Sequence, residues 1–252
     1  MRSRVRVIAM GFGLVAGAVG AQPVSQPDGQ WRALINVGLT YASGNTNAST
    51  FTAKVDAVRA TVDDKWTLYG ETLRAHSEGV ESGDRDRAGA RYDWNLTPKV
   101  FSLASLDLER DAVAALAHRA QLGAGLGYKF VDRDDLGFNV FGGLGYADDR
   151  YLLPREAGGE LRTRYSRPTA LLGEESSHRF STTTTATQRL VVRPDLQRAG
   201  NYRAQWDASL SVAMTRTISL AIGLNTRYDS APGVGLKRSD TLLTTGISVK
   251  VE

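Results

Sequence analysis

Residues 119–130 have the sequence RAQLGAGLGYKF, in which every even-numbered residue is apolar or aromatic and every odd-numbered residue is polar, charged or glycine. Successive side chains of a β-strand point to opposite faces, so this period of two predicts a strand with two different faces. The same alternation occurs in residues 31–41, with Leu34 as the one exception, and in residues 87–96 and 218–225. Segments of about 10 alternating residues separated by turns are typical of transmembrane β-barrels.

The first residues have the pattern of a secretory signal peptide. Three arginines precede an apolar and glycine-rich run over residues 7–19, and Ala21 is a small residue suited to cleavage. The run of roughly 13 residues is shorter than the about 20 that a helix needs to span a bilayer. We therefore expect a signal peptide at 1–21, a short N-terminal segment at 22–30 and one β-barrel domain at 31–252.

Charge and cysteine content narrow the class of protein. The full chain has a formal net charge of +4 and no cysteine. Residues 1–21 carry three arginines and no acidic residue, so their removal would leave +1. A chain this close to neutral is a poor candidate for nucleic-acid binding. An exported chain without disulfides can be held together by the hydrogen-bond ladder of a closed barrel.

Alternation and turn residues together predict an all-β fold, a single antiparallel transmembrane β-barrel of about 12 strands of the bacterial outer-membrane type. An even number of strands places both termini on the periplasmic side. Pro168 interrupts the eighth strand, and the threonine run at 182–185 blurs the ninth. The predicted strands are 31–43, 46–61, 66–76, 86–96, 100–111, 118–130, 136–150, 161–173, 178–192, 201–214, 217–229 and 239–251.

The predicted connections alternate in length. Barrels of this type have short periplasmic turns and longer external loops. If the first strand runs outward, the periplasmic turns are 62–65, 97–99, 131–135, 173–177 and 215–216. The external connections are then 77–85, 112–117, 151–160, 193–200 and 230–238, with 43–46 the one short member.

Aromatic residues gather at both ends of the predicted strands, where tyrosine and tryptophan favour the membrane interfaces. The expected periplasmic girdle is Trp31, Trp66, Trp94, Tyr128, Phe130 and Phe138. The expected external girdle is Tyr41, Tyr146, Tyr202 and Tyr228.

The face opposite the apolar one carries many charges, as a hydrated lumen does. The candidate lumen charges are Lys54, Asp56, Arg91, Asp93, Arg119, Lys129, Arg203, Asp207, Arg227 and Asp240. They have both signs, so two interpretations stay open. Either they line a narrow pore for small polar solutes or ions, or arginines pair with Asp93, Asp207 or Asp240 and close a structural or envelope-stress-related barrel.

The last third of the chain resembles a known bacterial family. Residues 189–196 (RLVVRPDL), 201–203 (NYR) and 227–240 (RYDSAPGVGLKRSD) resemble the salt-induced outer-membrane protein family, whose function is unknown. Residues 40–46 and 123–128 resemble that family's first hairpin and glycine-rich middle strand. The resemblance implies an outer-membrane β-barrel and no reaction.

Other readings of the sequence are less favoured. A soluble periplasmic lipocalin-like binding protein would point its apolar face inward and would leave nearly a third of the mature chain unused. The three scattered histidines form no motif, so we expect no enzymatic activity, and no catalytic, cofactor or metal site. The expected partners are outer-membrane lipid, lipopolysaccharide and, during biogenesis, the outer-membrane assembly machinery.

We expect the mature protein to begin near Gln22, to fractionate with outer membranes and to migrate differently on a gel when boiled and unboiled, because barrels commonly resist detergent until heated. Cell fractionation and N-terminal sequencing check this. Recovery in the soluble periplasm without detergent would contradict the barrel interpretation.

Overall fold

The computed structural model describes residues 27–42, 47–157, 160–232 and 237–251. The expected signal peptide and the proposed cleavage site lie outside these residues. The twelve strands are β1 Trp31–Ala42, β2 Ala48–Ala60, β3 Asp64–Ser77, β4 Val80–Asn95, β5 Val100–Asp111, β6 Leu116–Asp132, β7 Leu136–Ala157, β8 Glu160–Arg179, β9 Thr184–Pro194, β10 Tyr202–Ala213, β11 Ile218–Asp229 and β12 Ser239–Val251.

The strands form one closed antiparallel barrel, so the predicted fold class is confirmed. Each strand pairs with its neighbours in the chain, and the ring closes where β1 pairs with β12. We call the end at which β1 begins and β12 ends the base, and the opposite end the mouth. In the part of the chain that the structure describes, no helix is long and apolar enough to cross a membrane.

The two faces of the wall differ in chemistry. Outward side chains are large and apolar, and Leu122 and Leu126 are each 57% exposed. Inward side chains include Arg91 and Asp93, which are buried. A lipocalin-like barrel would have the reverse arrangement, with apolar side chains inside, so the structure does not support that alternative.

Aromatic side chains lie at both ends of the outer face, as predicted. Near the base, Tyr128 packs edge-on against Phe130 with ring centroids 4.9 Å apart, and Phe130 contacts Phe138 at 5.9 Å. Near the mouth, Tyr202 stacks on Tyr228 at 5.3 Å. Such girdles mark the two interfaces of a membrane-spanning barrel.

The turns at the base share one stabilising device. In four of them a hydroxyl side chain at the first or second residue after the strand accepts hydrogen bonds from backbone N–H groups two and three residues later; the four residues are Thr61, Thr97, Ser181 and Thr215. A short side chain that satisfies backbone donors favours a tight turn. The connections between strands at the base are therefore short, and each is stabilised by hydrogen bonds within the turn.

The hairpin between β3 and β4 differs from the prediction. The sequence predicted a loop at 77–85, whereas the strands continue to a two-residue turn, Glu78–Gly79. The φ angles of these two residues are 51° and 76°, as a type I′ turn requires. Glutamate is not one of the residues that usually announce such a turn, which explains the wrong boundary.

Strands β7 and β8 are also longer than predicted. The expected loop at 151–160 is mostly strand, and the turn between β8 and β9 lies at residues 180–183 rather than at 173–177. Gly173 instead pairs with Phe141 within the β7–β8 ladder. Pro168 lies inside β8, and the regular ladder with β9 extends only from Leu172 to Arg179.

Glycines in the wall make room for inward aromatic rings. A Cβ atom on Gly127 would lie 2.0 Å from the Phe101 ring, and one on Gly173 would lie 2.3 Å from the Phe141 ring. Phe101 and Phe141 belong to a buried apolar cluster on the inner face, together with Leu103, Leu171 and Val191. Glycine alternation in this chain therefore serves packing of the lumen.

We expect Leu126→Arg to lower the free energy of unfolding by about 2–4 kcal/mol in a bilayer, because it places a charge in hydrocarbon. His118→Arg is the matched control, since His118 is exposed on the same face of β6 at the mouth end, where the cost falls to about 0–1 kcal/mol. Denaturant unfolding in lipid vesicles measures both. Equal losses would mean that this face does not contact lipid. Gly125→Arg is not a usable control, because its Cβ would lie 2.2 Å from the Gly142 carbonyl oxygen.

Candidate functional site: a charged lumen

A buried carboxylate on β7, Asp149, is the centre of the charged lumen. Its side chain has 0% exposure and contacts three guanidinium groups, on β6, β8 and β10. The N···O distances are 2.7 Å to Arg119, 2.9 Å to Arg167 and 2.9 Å to Arg203. A carboxylate out of water is tolerated only when paired, and here one anion holds three strands together.

The network continues from Asp149 to the opposite wall. Arg119 also pairs with Glu109 of β5 at 3.1 Å, and Glu109 pairs with Arg227 of β11 at 2.6 Å. Strands β5 and β11 lie six positions apart in the ring of twelve. The Glu109–Arg227 pair therefore spans the lumen from wall to wall.

A second direct contact crosses the lumen. Arg87 of β4 donates to Gln205 Oε1 of β10 at 2.8 Å, again between strands six positions apart. Gln205 in turn donates to Asp207 at 2.7 Å, and Asn225 donates to the other oxygen of Asp207. Two bridges therefore cross the lumen side by side at this level, because Arg87 pairs with Glu109 and Gln205 with Arg227 in the neighbouring ladders.

Nearer the base, a group around Glu175 of β8 forms a further constriction. Arg91 pairs with Glu175 at 2.6 Å and with Asp93 at 2.7 Å, and Arg189 pairs with Glu175 at 2.9 Å. The Arg91 guanidinium also lies 4.5 Å from the centroid of the Phe141 ring. Cation–π contact and ion pairing together fix this arginine over the apolar cluster.

The structure places the sequence-predicted lumen charges as follows. Lys54, Asp56, Arg91, Asp93, Arg119, Lys129, Arg203, Asp207 and Arg227 lie on the inner face. The tenth, Asp240, is exposed at the mouth end of β12 and lines a cavity there.

The expected partners are only partly correct. Arg91 does pair with Asp93, but Arg203 pairs with Asp149 and Asp229 rather than with Asp207 or Asp240. Lys54 pairs with Asp56 at 3.0 Å along one strand. Partners across the lumen depend on the tilt and stagger of strands, which a single sequence does not contain.

Three carboxylates that organise the lumen were missed, namely Glu109, Asp149 and Glu175. The inward phase of Gly143 and Gly145 continues along β7 directly to Asp149. The same alternation places Glu109 on the inner face of β5. The alternation within the predicted strands 136–150 and 100–111 was therefore the available signal for Asp149 and Glu109, whereas Glu175 lies beyond the predicted strand 161–173.

Acidic residues on the outer rim are paired with arginines. Asp84 contacts Arg110 at 3.0 Å, and Asp148 contacts Arg164 at 2.6 Å. Over the described ranges, no group of three or more histidine, cysteine, aspartate or glutamate side chains is arranged to hold a metal ion.

Two cavities of about 370 and 380 Å³ lie at the mouth. They share lining residues, including Tyr151, Arg193, Arg203 and Asp229, so they form a continuous vestibule. Glu109 and Arg227, the wall-to-wall pair, also line the second cavity. The vestibule therefore opens at the mouth and ends at the Glu109–Arg227 pair.

Residues 35–251 match the model of a family described as "Protein of unknown function, DUF481". The chain belongs to this family. Membership agrees with the resemblance that the terminal motif indicated. A curated relative, the uncharacterized protein YdiY of Escherichia coli (strain K12), is 27% identical over 117 residues, which is 46% of this chain and 46% of that protein.

Solved structures with a similar fold are outer-membrane barrels. The NanC porin superposes with a TM-score of 0.56 at 13% identity, over 87% of this DUF481 chain and 100% of that one. The translocator domain of autotransporter NalP from Neisseria meningitidis gives a TM-score of 0.47 at 15% identity, over 88% of each chain. The NanC likeness supports the fold, and the function of this chain follows from its own lumen.

We expect Asp149→Asn to lower the free energy of unfolding by about 3–5 kcal/mol, because it leaves three buried guanidinium groups without their shared anion. Asp148→Asn is the matched control: Asp148 is the next residue, faces outward and pairs with an exposed arginine, so its loss should cost about 0–1 kcal/mol. Denaturant titration in vesicles compares the two. Similar small effects would show that the Asp149 contacts do not stabilise the barrel.

Proposed function

We propose that this chain is an outer-membrane barrel protein whose lumen is closed at rest by ion pairs between opposite walls. The observation that carries the proposal is the 2.6 Å contact between Arg227 of β11 and Glu109 of β5. A side-chain pair that joins diametrically opposed strands crosses the full width of the lumen at that level.

Burial of lumen side chains away from this pair supports the same conclusion. Thr244 of β12 is 0% exposed, and Asn36 of β1 and Ser248 of β12 are each 1% exposed. A water-filled channel along these strands would leave such polar side chains accessible. The Ser248 hydroxyl instead donates to Asn36 Oδ1 across the β1–β12 junction.

The outer face supports a membrane location. A continuous apolar surface between two aromatic girdles fits the hydrocarbon layer, and a β-barrel is one of two backbone architectures that such a layer admits. Together with the expected signal peptide, this surface supports a location in the bacterial outer membrane with the mouth facing outward. The partners that we propose are outer-membrane lipid, lipopolysaccharide and the assembly machinery, and the role that we propose is non-enzymatic.

The test is single-channel conductance in planar bilayers. We expect the wild type to be silent and Glu109→Gln to conduct, because the substitution releases Arg227 and Arg119 from their shared carboxylate and leaves unbalanced charge in the lumen. Glu174→Gln is the matched control, since Glu174 accepts a hydrogen bond from the side chain of Gln188 of β9, away from the Glu109–Arg227 pair. Steady wild-type current that Glu109→Gln leaves unchanged would contradict closure.

A narrow pore for small polar solutes or ions is the second candidate, and the vestibule at the mouth favours it. In that case the wild type conducts, and the lumen arginines set ion preference. Neutralising Arg91 and Arg203 should then shift selectivity toward cations, because it removes fixed positive charge from a confined, partly desolvated path. Reversal potentials under a salt gradient measure the shift.

A further inference from the structure

The smaller mouth cavity, of about 370 Å³, has an excess of positive charge. Four arginines line it, Arg167, Arg193, Arg198 and Arg203, against two aspartates, Asp195 and Asp229. Asp107 and Asp149 pair with three of these arginines from outside the lining. Tyr151 of β7 and Tyr165 of β8 complete the wall. A concave site lined by one excess sign of charge concentrates counter-ions of the opposite sign.

Backbone contacts hold the connection between β9 and β10 at the edge of this cavity. Where the regular β8–β9 ladder stops, Thr169 makes an isolated bridge to Asp195, and Leu196 N donates to Pro168 O at 3.1 Å. Asp195 Oδ1 then accepts from the backbone N–H of Arg198 at 3.1 Å. The connection between β9 and β10 is thereby folded against β8, and it carries Arg198 to the cavity.

One arginine of this cavity has a side-chain donor without an acceptor. Asp149 takes hydrogen bonds from Arg167 and Arg203 as well as from Arg119. Arg203 Nη1 is buried and has no hydrogen-bond partner. Guanidinium groups present paired N–H donors in a planar fork that matches carboxylate and phosphate oxygens, so the unmet demand is for oxyanion acceptors.

We propose that this cavity is a binding site for a small, multiply charged oxyanion bearing carboxylate or phosphate groups. Arg203 offers its unpartnered Nη1 to the anion, and Arg198 adds positive charge from the connection between β9 and β10. The site lies above the Glu109–Arg227 pair, so binding does not require the lumen to conduct. A free solute is the expected source of the anion, because the cavity lies inside the ring of strands and is separated from the lipid-facing surface.

The test is isothermal titration of the purified full chain in neutral detergent, at fixed ionic strength. The probes are citrate and pyrophosphate, with glycerol and choline as uncharged and cationic controls. We expect saturable binding of the two anions alone. Arg198→Gln should weaken it roughly tenfold, the effect of losing one charge-assisted hydrogen bond.

Arg110→Gln is the matched control, because Arg110 lies at the same end of the barrel but pairs with Asp84 and Asp86 outside the cavity lining. It changes the net charge equally and should leave binding unchanged. Gel heat-modifiability verifies that each variant is folded. Absence of saturable anion binding in the wild type, or equal weakening by Arg110→Gln, would overturn the proposal. Binding of anionic lipid vesicles without binding of citrate or pyrophosphate would also overturn the proposal.

Discussion

Pairing of charges inside the lumen is the interaction on which the rest of this structure depends. Closing the sheet satisfies the backbone, and the alternation of side chains then turns charged residues such as Arg91, Asp149 and Glu175 inward. Those charges lose much of their hydration, so each needs a partner of opposite sign. Asp149 meets this need for three arginines from three strands. The ion pairs that compensate this lost hydration therefore also cross the lumen.

The fold could be predicted from sequence because it rests on local alternation. Strand number, the apolar outer face and the aromatic girdles all follow from a period of two and from turn residues. The candidate site could be predicted only in part. Arg91 and Arg203 were found because they alternate with apolar residues. The partner of Arg91, Glu175, lies beyond the predicted end of β8, and the partner of Arg203, Asp149, lies inside the predicted strand 136–150 but near its end. Pairing across the lumen depends on the stagger of the strands, which is a property of the closed ring.

The interior has two chemically different sides. On strands β5 to β9, Phe101, Phe141 and their apolar neighbours form a cluster, and glycines on the adjoining strands accept the two rings. On β1, β2 and β12 the inward residues include small polar side chains, such as Thr52, Thr244 and Ser248, which are nearly fully buried. Any rearrangement that opens a path is easier through exchange of hydrogen bonds on the polar side than through displacement of packed rings on the apolar side.

The junction between β1 and β12 has a mechanical consequence. Its ladder joins five residue pairs, from Ala33–Val251 to Val37–Ile247, and the β8–β9 ladder joins eight. Every other adjoining pair of strands shares eleven or more. A closed sheet under tension separates first between the two strands that share the fewest residue pairs. Stretching of the surrounding bilayer would thus separate β1 from β12, beginning at the mouth end of their ladder, while the other strands of the barrel stay paired.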